Sequence, residues 1–193
     1  MKCVILAGSP RKNGNTAALL RPFTERLTEL GAECELIRLH EKKIGGCVAC
    51  RACQKDWSVF GCAIDDDMGD IFASVLAARL IVLAAPIYSW FCPAPMKAAL
   101  DRLVYGMNKY YGDAKGPSLW AGRHMALLLT CGYRPEHGVD LFVEAMQRYC
   151  KHSGLKYAGM SAERHMGYKI PFMDADKEQR SREFAERLSA MLE

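Results

Sequence analysis

The sequence predicts an α/β fold, a three-layer sandwich in which helices cover both faces of a five-stranded parallel sheet of strand order 2-1-3-4-5. Three observations carry this expectation. Strand-length apolar runs alternate with helix-length amphipathic patterns along the 193 residues, and such alternation builds parallel sheets wrapped on both sides. The runs Cys3-Val4-Ile5-Leu6, Leu80-Ile81-Val82-Leu83-Ala84 and Met125-Ala126-Leu127-Leu128-Leu129 are apolar without a break, as strands buried on both faces require. The first run passes into the polar loop Gly8-Ser9-Pro10-Arg11-Lys12-Asn13-Gly14-Asn15-Thr16, which opens a helix. In an open parallel sheet of this order, ligands sit at the carboxyl ends of the strands, near the first and third.

Each element follows from its pattern. Lys2 to Ala7 reads as a buried strand. Asn15 to Leu30 reads as a helix with Leu19, Phe23, Leu27 and Leu30 on one face, bent or weakened at Pro22 and closed by Gly31. Glu33 to Leu39 alternates, as an edge strand does. His40 to about Asp65 has no period, contains Gly45-Gly46 and four cysteines, and is long enough to suggest function. Asp65-Asp66-Asp67 is expected to cap a helix reaching about Ala78. The strand from Leu80 ends in the aromatic loop 85–91, after which Pro93 and Pro95 start a helix. Residues 107–122 read as loop. A strand from His124 ends in Thr130-Cys131-Gly132-Tyr133, followed by a helix from Val139 to about His152. A last strand spans Leu155 to Gly159. Asp176 is expected to cap a final helix with Phe184, Leu188 and Met191 on one face. No repeat or linker divides the chain, so we expect one domain over 1–193 with a cysteine-rich insertion at about 40–65.

Composition narrows the class. Half the residues are hydrophobic and a quarter charged, and the net charge of +4 is spread without a long basic run. Nucleic acid is therefore not an expected partner. No stretch is long enough to span a membrane, and the first apolar run is too short for a signal peptide, so a cytoplasmic protein without membrane contact is expected. Nine cysteines in that compartment point to thiols, metal ligands or redox centres rather than a disulfide framework.

Three loops collect the candidate ligand-binding residues. In the first, backbone N–H groups and the helix N-terminus favour an anion. Ser9, Asn15 and Thr16 add side-chain donors, Arg11 and Lys12 add charge, and Asn13 and Gly14 complete the turn, giving the cradle of one phosphate monoester. Only Gly8 and Gly14 are available, so the dinucleotide fingerprint is absent, and the ending Gly-Asn-Thr excludes the nucleoside-triphosphate loop. An ordinary polar turn with an Asn/Thr cap is the competing reading. The second loop offers Pro86, Ile87, Tyr88, Ser89 and Trp90, whose aromatic faces suit stacking on a planar ring. The third offers Thr130, Cys131, Gly132 and Tyr133, suited to bonding the edge atoms of such a ring. Packing or an interface would also explain the aromatic residues.

The cysteine segment reads Cys47-x-x-Cys50-x-x-Cys53, with Cys62 after eight further residues. Soft thiolates at such spacing bind iron–sulfur clusters or zinc. The first three match a ferredoxin run; the fourth does not, and no proline follows it. Structural zinc sites prefer two separated pairs. Four reduced thiols on a loop remain the other alternative. His40, His124, His137, His152 and His165 are scattered, and we expect no catalytic side chain.

Taken in order, the phosphate loop, the segment Gly46-Cys47-x-x-Cys50-x-x-Cys53 leading to Cys62-x-x-x-Asp66-Asp67-Met68, the strand end Ala85-Pro86-Ile87-Tyr88 and the Pro95-Met96-Lys97 helix resemble the flavodoxin-like NAD(P)H-dependent FMN reductases and the iron–sulfur flavoproteins among them. The resemblance implies FMN held by the three loops, NAD(P)H as electron donor, a quinone, flavin or other small molecule as acceptor, and a homodimer or homotetramer. The alternative it carries is a 4Fe–4S cluster on the four cysteines, relaying single electrons between ferredoxin and FMN, although iron–sulfur relatives have a shorter gap before the fourth cysteine. A non-enzymatic flavodoxin-type shuttle or metal-binding module is the reading from another class. The mildly positive net charge disfavours a shuttle that docks by an acidic face.

Overall fold

A computed structural model describes residues 1–192. Its sheet has five strands in the order β2-β1-β3-β4-β5, all pairs parallel. The strands are β1 Lys2–Ala7, β2 Glu33–Arg38, β3 Leu80–Pro86, β4 His124–Cys131 and β5 Lys156–Arg164. The helices are α1 Asn15–Glu29, α2 Met68–Ala77, α3 Ala94–Met107, α4 Pro135–Gly138, α5 Asp140–Ser153 and α6 Ala175–Leu192. This is the order the alternation predicts. No helix of the described residues is long and apolar enough to cross a membrane.

The two-residue period of each strand divides its side chains between two cores. Cys3, Ile5 and Ala7 of β1 pack with Val82 and Leu128 against Leu19, Phe23 and Leu27 of α1 and Phe184 and Leu188 of α6. Val4 and Leu6 pack with Leu83 and Leu129 against Ile71 of α2, Leu103 of α3 and Phe142 of α5. With both faces covered, the carboxyl edge and its loops are the place left for a ligand.

Several local expectations are corrected. β5 does not end at Gly159. That glycine takes φ +102, the register against β4 slips between Met125 and Leu127, and pairing resumes from Met160 to Arg164. A bulge at a glycine thus looks like a strand end in the sequence. Thr130 and Cys131 accordingly finish β4 rather than start the loop. α6 is capped by Asp174, not Asp176: the Lys177 N–H donates to Asp174 Oδ1 at 2.8 Å. Leu192 is buried on α6, while Met191 is exposed. α1 continues through buried Pro22 to Glu29. The four-residue α4, too short for a periodic signal, starts at Pro135.

Two of the three aspartates do more than end a loop. Asp67 stands before α2 without a capping bond; its Oδ2 accepts the Lys43 N–H at 2.7 Å. Asp66 Oδ1 accepts the Met68 N–H at 3.1 Å, and Asp66 Oδ2 accepts the Gly45 N–H at 2.8 Å. Together they fasten both ends of the cysteine segment to the start of α2.

Candidate functional site

Three loops leave the carboxyl edge side by side and are joined through the backbone. The Gly8 N–H donates to Ala84 O at 2.8 Å, and the Ile87 N–H donates to Thr130 O at 2.8 Å. Gly8 also lets α3 approach, since a Cβ there would stand 3.1 Å from the Met96 methyl.

The first loop carries donors without acceptors. Gly14 precedes α1 with no side-chain cap, and the first turn has no acidic residue. Among the described residues, no acceptor meets the N–H groups of Asn15, Thr16 and Ala17. A helix start in this state presents free donors and a partial positive charge to an anion. Thr16 is 2 % exposed, and its Oγ1 lies 3.0 Å from Thr130 Oγ1, which ties the first loop to the third. The Arg11 N–H donates to Ser9 Oγ at 3.3 Å, and the Arg11 side chain folds over Gly14. Lys12 instead turns away to pair with Glu41 at 2.8 Å. Lys12 and Asn13 face a groove of about 760 Å³ between α1 and β2.

The second and third loops enclose a cavity of about 410 Å³, lined by Ile87, Tyr88, Ser89, Trp90, Cys131, Gly132 and Tyr133. Pro86 stands in register with Thr130 where β3 and β4 run out. Tyr88 and Phe91 pair across a two-residue turn, in which Ser89 (φ +49) and Trp90 (φ +64) both adopt left-handed backbone. Side-chain-bearing residues held there cost roughly 1–3 kcal/mol each, and such strain gathers at ligand sites. The turn sets the Trp90 indole. Its Nε1–H donates to His137 O at 3.0 Å, and its ring stacks on Tyr133 with centroids 5.9 Å apart and planes 6° apart. The result is a flat aromatic wall. Arg164 Nε donates to Gly132 O at 3.2 Å, and the His165 N–H donates to Cys131 O at 2.7 Å, so β5 braces the third loop.

The cysteine segment rests on α3 and the loop after it. Buried Gln54 donates to Tyr105 O at 2.5 Å and Asn108 O at 3.0 Å, and accepts the Tyr111 N–H at 3.1 Å. Ala49 (φ +54) and Arg51 (φ +59) take left-handed backbone on either side of Cys50. Cys47, Cys50, Cys53 and Cys62 line one cavity of about 180 Å³. Cys53 Sγ donates to Tyr105 O at 3.4 Å, and burial pushes its thiol up. Beneath it, Arg102 meets Asp66 Oδ2 at 2.5 Å. Burial alone would raise the Asp66 carboxyl. The bonds from Arg102 and from the Gly45 and Met68 N–H groups outweigh burial and hold it below the usual range.

Among the described residues, no three His, Cys, Asp or Glu side chains converge on a single ion position, whereas structural zinc needs four ligands at about 2.0–2.3 Å. The four cysteines share one cavity, and soft thiolates are the donors that an iron–sulfur cluster takes. Sequence reasoning missed Gln54, which supports this segment, and the buried cations Arg102 and Lys109 that adjoin it. The signal for Arg102 was its place on the apolar face of α3, beside Ala99 and Leu103.

Known proteins resemble this chain in sequence and in fold. Residues 1–153 match the family model described as NADPH-dependent FMN reductase. An iron–sulfur flavoprotein of Methanosarcina thermophila is 37% identical over 112 residues, 58% of this chain and 56% of that protein. An FMN-dependent NADPH-azoreductase of Staphylococcus aureus is 32% identical over 106 residues, 53% of this chain and 52% of that protein. The chain thus spans about half the length of the curated relatives it matches. A solved NAD(P)H:quinone oxidoreductase from Methanothermobacter marburgensis superposes with a TM-score of 0.71 at 19% identity, covering 100% of this chain and 99% of that one; this likeness is one of fold. With most of its length matched by the family model, the chain belongs to the NADPH-dependent FMN reductase family.

Proposed function

We propose that the chain is an FMN-dependent oxidoreductase that takes electrons from NAD(P)H and delivers them to a quinone, flavin or other small acceptor. The observation that carries this reading is the uncapped start of α1, whose free Asn15, Thr16 and Ala17 N–H groups adjoin the buried Thr16–Thr130 pair. When bound, FMN supplies the hydride and electron chemistry, and the protein supplies binding and orientation. The helix-start N–H groups with Ser9, Arg11, Asn13, Gly14, Asn15 and Thr16 would hold the phosphate, Lys12 adding charge from outside. Pro86 to Trp90 and Thr130 to Tyr133 would hold the ring, with Tyr88, Trp90 and Tyr133 giving planar faces and Gly132 its backbone N–H. No side chain is assigned as acid or base. The small acceptor is supported by the azoreductase relative. A homodimer or homotetramer is proposed from the family resemblance.

One monoester cradle without a pyrophosphate fingerprint selects FMN over FAD. Mass analysis of the flavin released from purified protein should give FMN; FAD would refute the assignment.

A second reading is favoured by the single cavity that the four cysteines line and by the name of the Methanosarcina relative. Cys47, Cys50, Cys53 and Cys62 would hold a 4Fe–4S cluster that exchanges single electrons with ferredoxin and FMN. Protein reconstituted without air should then contain iron and labile sulfide. Cys50→Ser should lose the broad visible absorbance and keep FMN. Less than one iron per chain would rule this reading out.

A further inference from the structure

Two cations lie buried beside the cysteine segment; a carboxylate meets Arg102, and none meets Lys109 among the described residues. Arg102 is 2 % exposed and Lys109 1 %. Arg102 lines the cavity with the four cysteines. One of its Nη groups donates to Asp66 Oδ2 at 2.5 Å and Gly45 O at 3.4 Å, and the other donates to Ile64 O at 3.3 Å. Its Nε is buried with no partner. Lys109 Nζ has one acceptor, Cys53 O, at 2.6 Å. The nearby Asp56 is exposed and turned to Ser58, whose N–H and hydroxyl it accepts at 2.8 Å and 2.6 Å. The formal charge of this buried shell is therefore positive.

Buried charge persists when it is paired. Asp66 balances one of the two charges, and both residues adjoin the cysteine segment, Arg102 in the cavity with the four sulfurs and Lys109 at Cys53 O, so the negative charge that balances the other belongs to what that cavity holds. Four thiolates carry more negative charge than the iron–sulfide core they bind offsets, and a thiolate-bound cluster is an anion. We propose that Arg102 and Lys109 form a fixed cationic floor that compensates this anion and raises its reduction potential. They are positioning and charge-compensating residues, not ligands. The proposal rests on the reading that Cys47, Cys50, Cys53 and Cys62 hold a cluster. Its physical basis is that a nearby fixed positive charge in a low-dielectric shell favours the more negative, reduced form of a cluster.

The test compares the full chain with Lys109→Met, which removes one charge and keeps the apolar stem, and Arg102→Lys, which keeps the charge. Each protein is reconstituted without air with ferrous iron and sulfide and titrated against redox dyes. Lys109→Met should load iron as the unmodified chain does. Its one-electron reduction equilibrium should move about tenfold towards the oxidised form, a potential more negative by about 59 mV. Arg102→Lys should stay near the original potential. A Lys109→Met protein with the original potential overturns the proposal, as does an Arg102→Lys protein displaced as far as Lys109→Met is expected to be.

A readout without iron separates this role from mere pinning of the loop. In metal-free protein, Lys109→Met removes a buried uncompensated charge, so its melting temperature should equal or exceed that of the original chain. A lower melting temperature means that Lys109 is a structural pin, which overturns the floor. If the unmodified chain takes up no iron, the cluster reading falls separately. The same melting comparison then still decides whether Lys109 is an uncompensated buried charge or a structural pin.

Discussion

Removing one hydroxyl from the Thr16–Thr130 pair should cost more stability than removing both. The two side chains are 2 % and 4 % exposed, with Oγ1 atoms 3.0 Å apart. Thr16→Val leaves Thr130 Oγ1 buried without its partner, at about 1–3 kcal/mol. Thr16→Val with Thr130→Val replaces both hydroxyls by methyls of the same shape and should be neutral to within about 1 kcal/mol. Urea unfolding of flavin-free protein, followed by circular dichroism, measures both and their coupling. Flavin affinity should behave differently. If the Thr16 hydroxyl also donates to the phosphate, both variants lose a charge-assisted bond, about 1–3 kcal/mol, or roughly tenfold to hundredfold in Kd. The double variant should therefore be stable and a poor FMN binder in a fluorescence titration. A stable double variant that binds FMN at the original affinity would place the phosphate elsewhere. A double variant as unstable as the single one would show that the hydroxyls do not act as an isolated pair.

Replacing Tyr88 and Trp90 together by alanine should change the absorbance or fluorescence quenching of bound flavin; unchanged spectra would assign both to packing. Asp66→Asn leaves Arg102 charged and buried beside a neutral partner. The expected loss is about 3–5 kcal/mol, seen as a lower urea midpoint, and a loss below about 1 kcal/mol would mean the guanidinium finds another partner. The same carboxyl gives an acid dependence. Its folded value lies below its unfolded one, so its contribution is complete above the ordinary aspartate value of about 3.9 and is lost as pH falls through the folded value. Below about pH 4, the original chain should lose stability more steeply than Asp66→Asn; parallel curves would contradict the assignment.

Much of the fold is legible in the sequence because it depends on local pattern. β1, β3 and β4 are buried on both faces, so their apolar runs stand out, and α1 and α3 carry clear apolar faces. The second half of β5 is not legible. Its Ser161, Glu163 and Arg164 are polar edge residues, and Glu163 is buried only because Arg180 of α6 bonds it at 2.7 Å and 2.9 Å. The ligand-facing loops are legible in composition but not in direction. Lys12 and Thr16 both read as phosphate donors; the pairing with Glu41 turns Lys12 outward, and the contact with Thr130 turns Thr16 inward. Partners 29 and 114 residues away decide these directions, and no local pattern encodes them. Asp66 fails as a simple cap for the same reason, since its partner Arg102 lies 36 residues further on.

The central claim is that this chain binds FMN and reduces it with a nicotinamide. The direct measurement is to purify the full chain without air with its flavin bound, add NADPH and, separately, NADH, and follow the blue flavin absorbance in a rapid-mixing instrument. The account predicts that at least one nucleotide bleaches the flavin and that a quinone added afterwards restores the colour. Flavin that stays oxidised with both nucleotides would contradict it and leave the chain a carrier of electrons supplied by another protein.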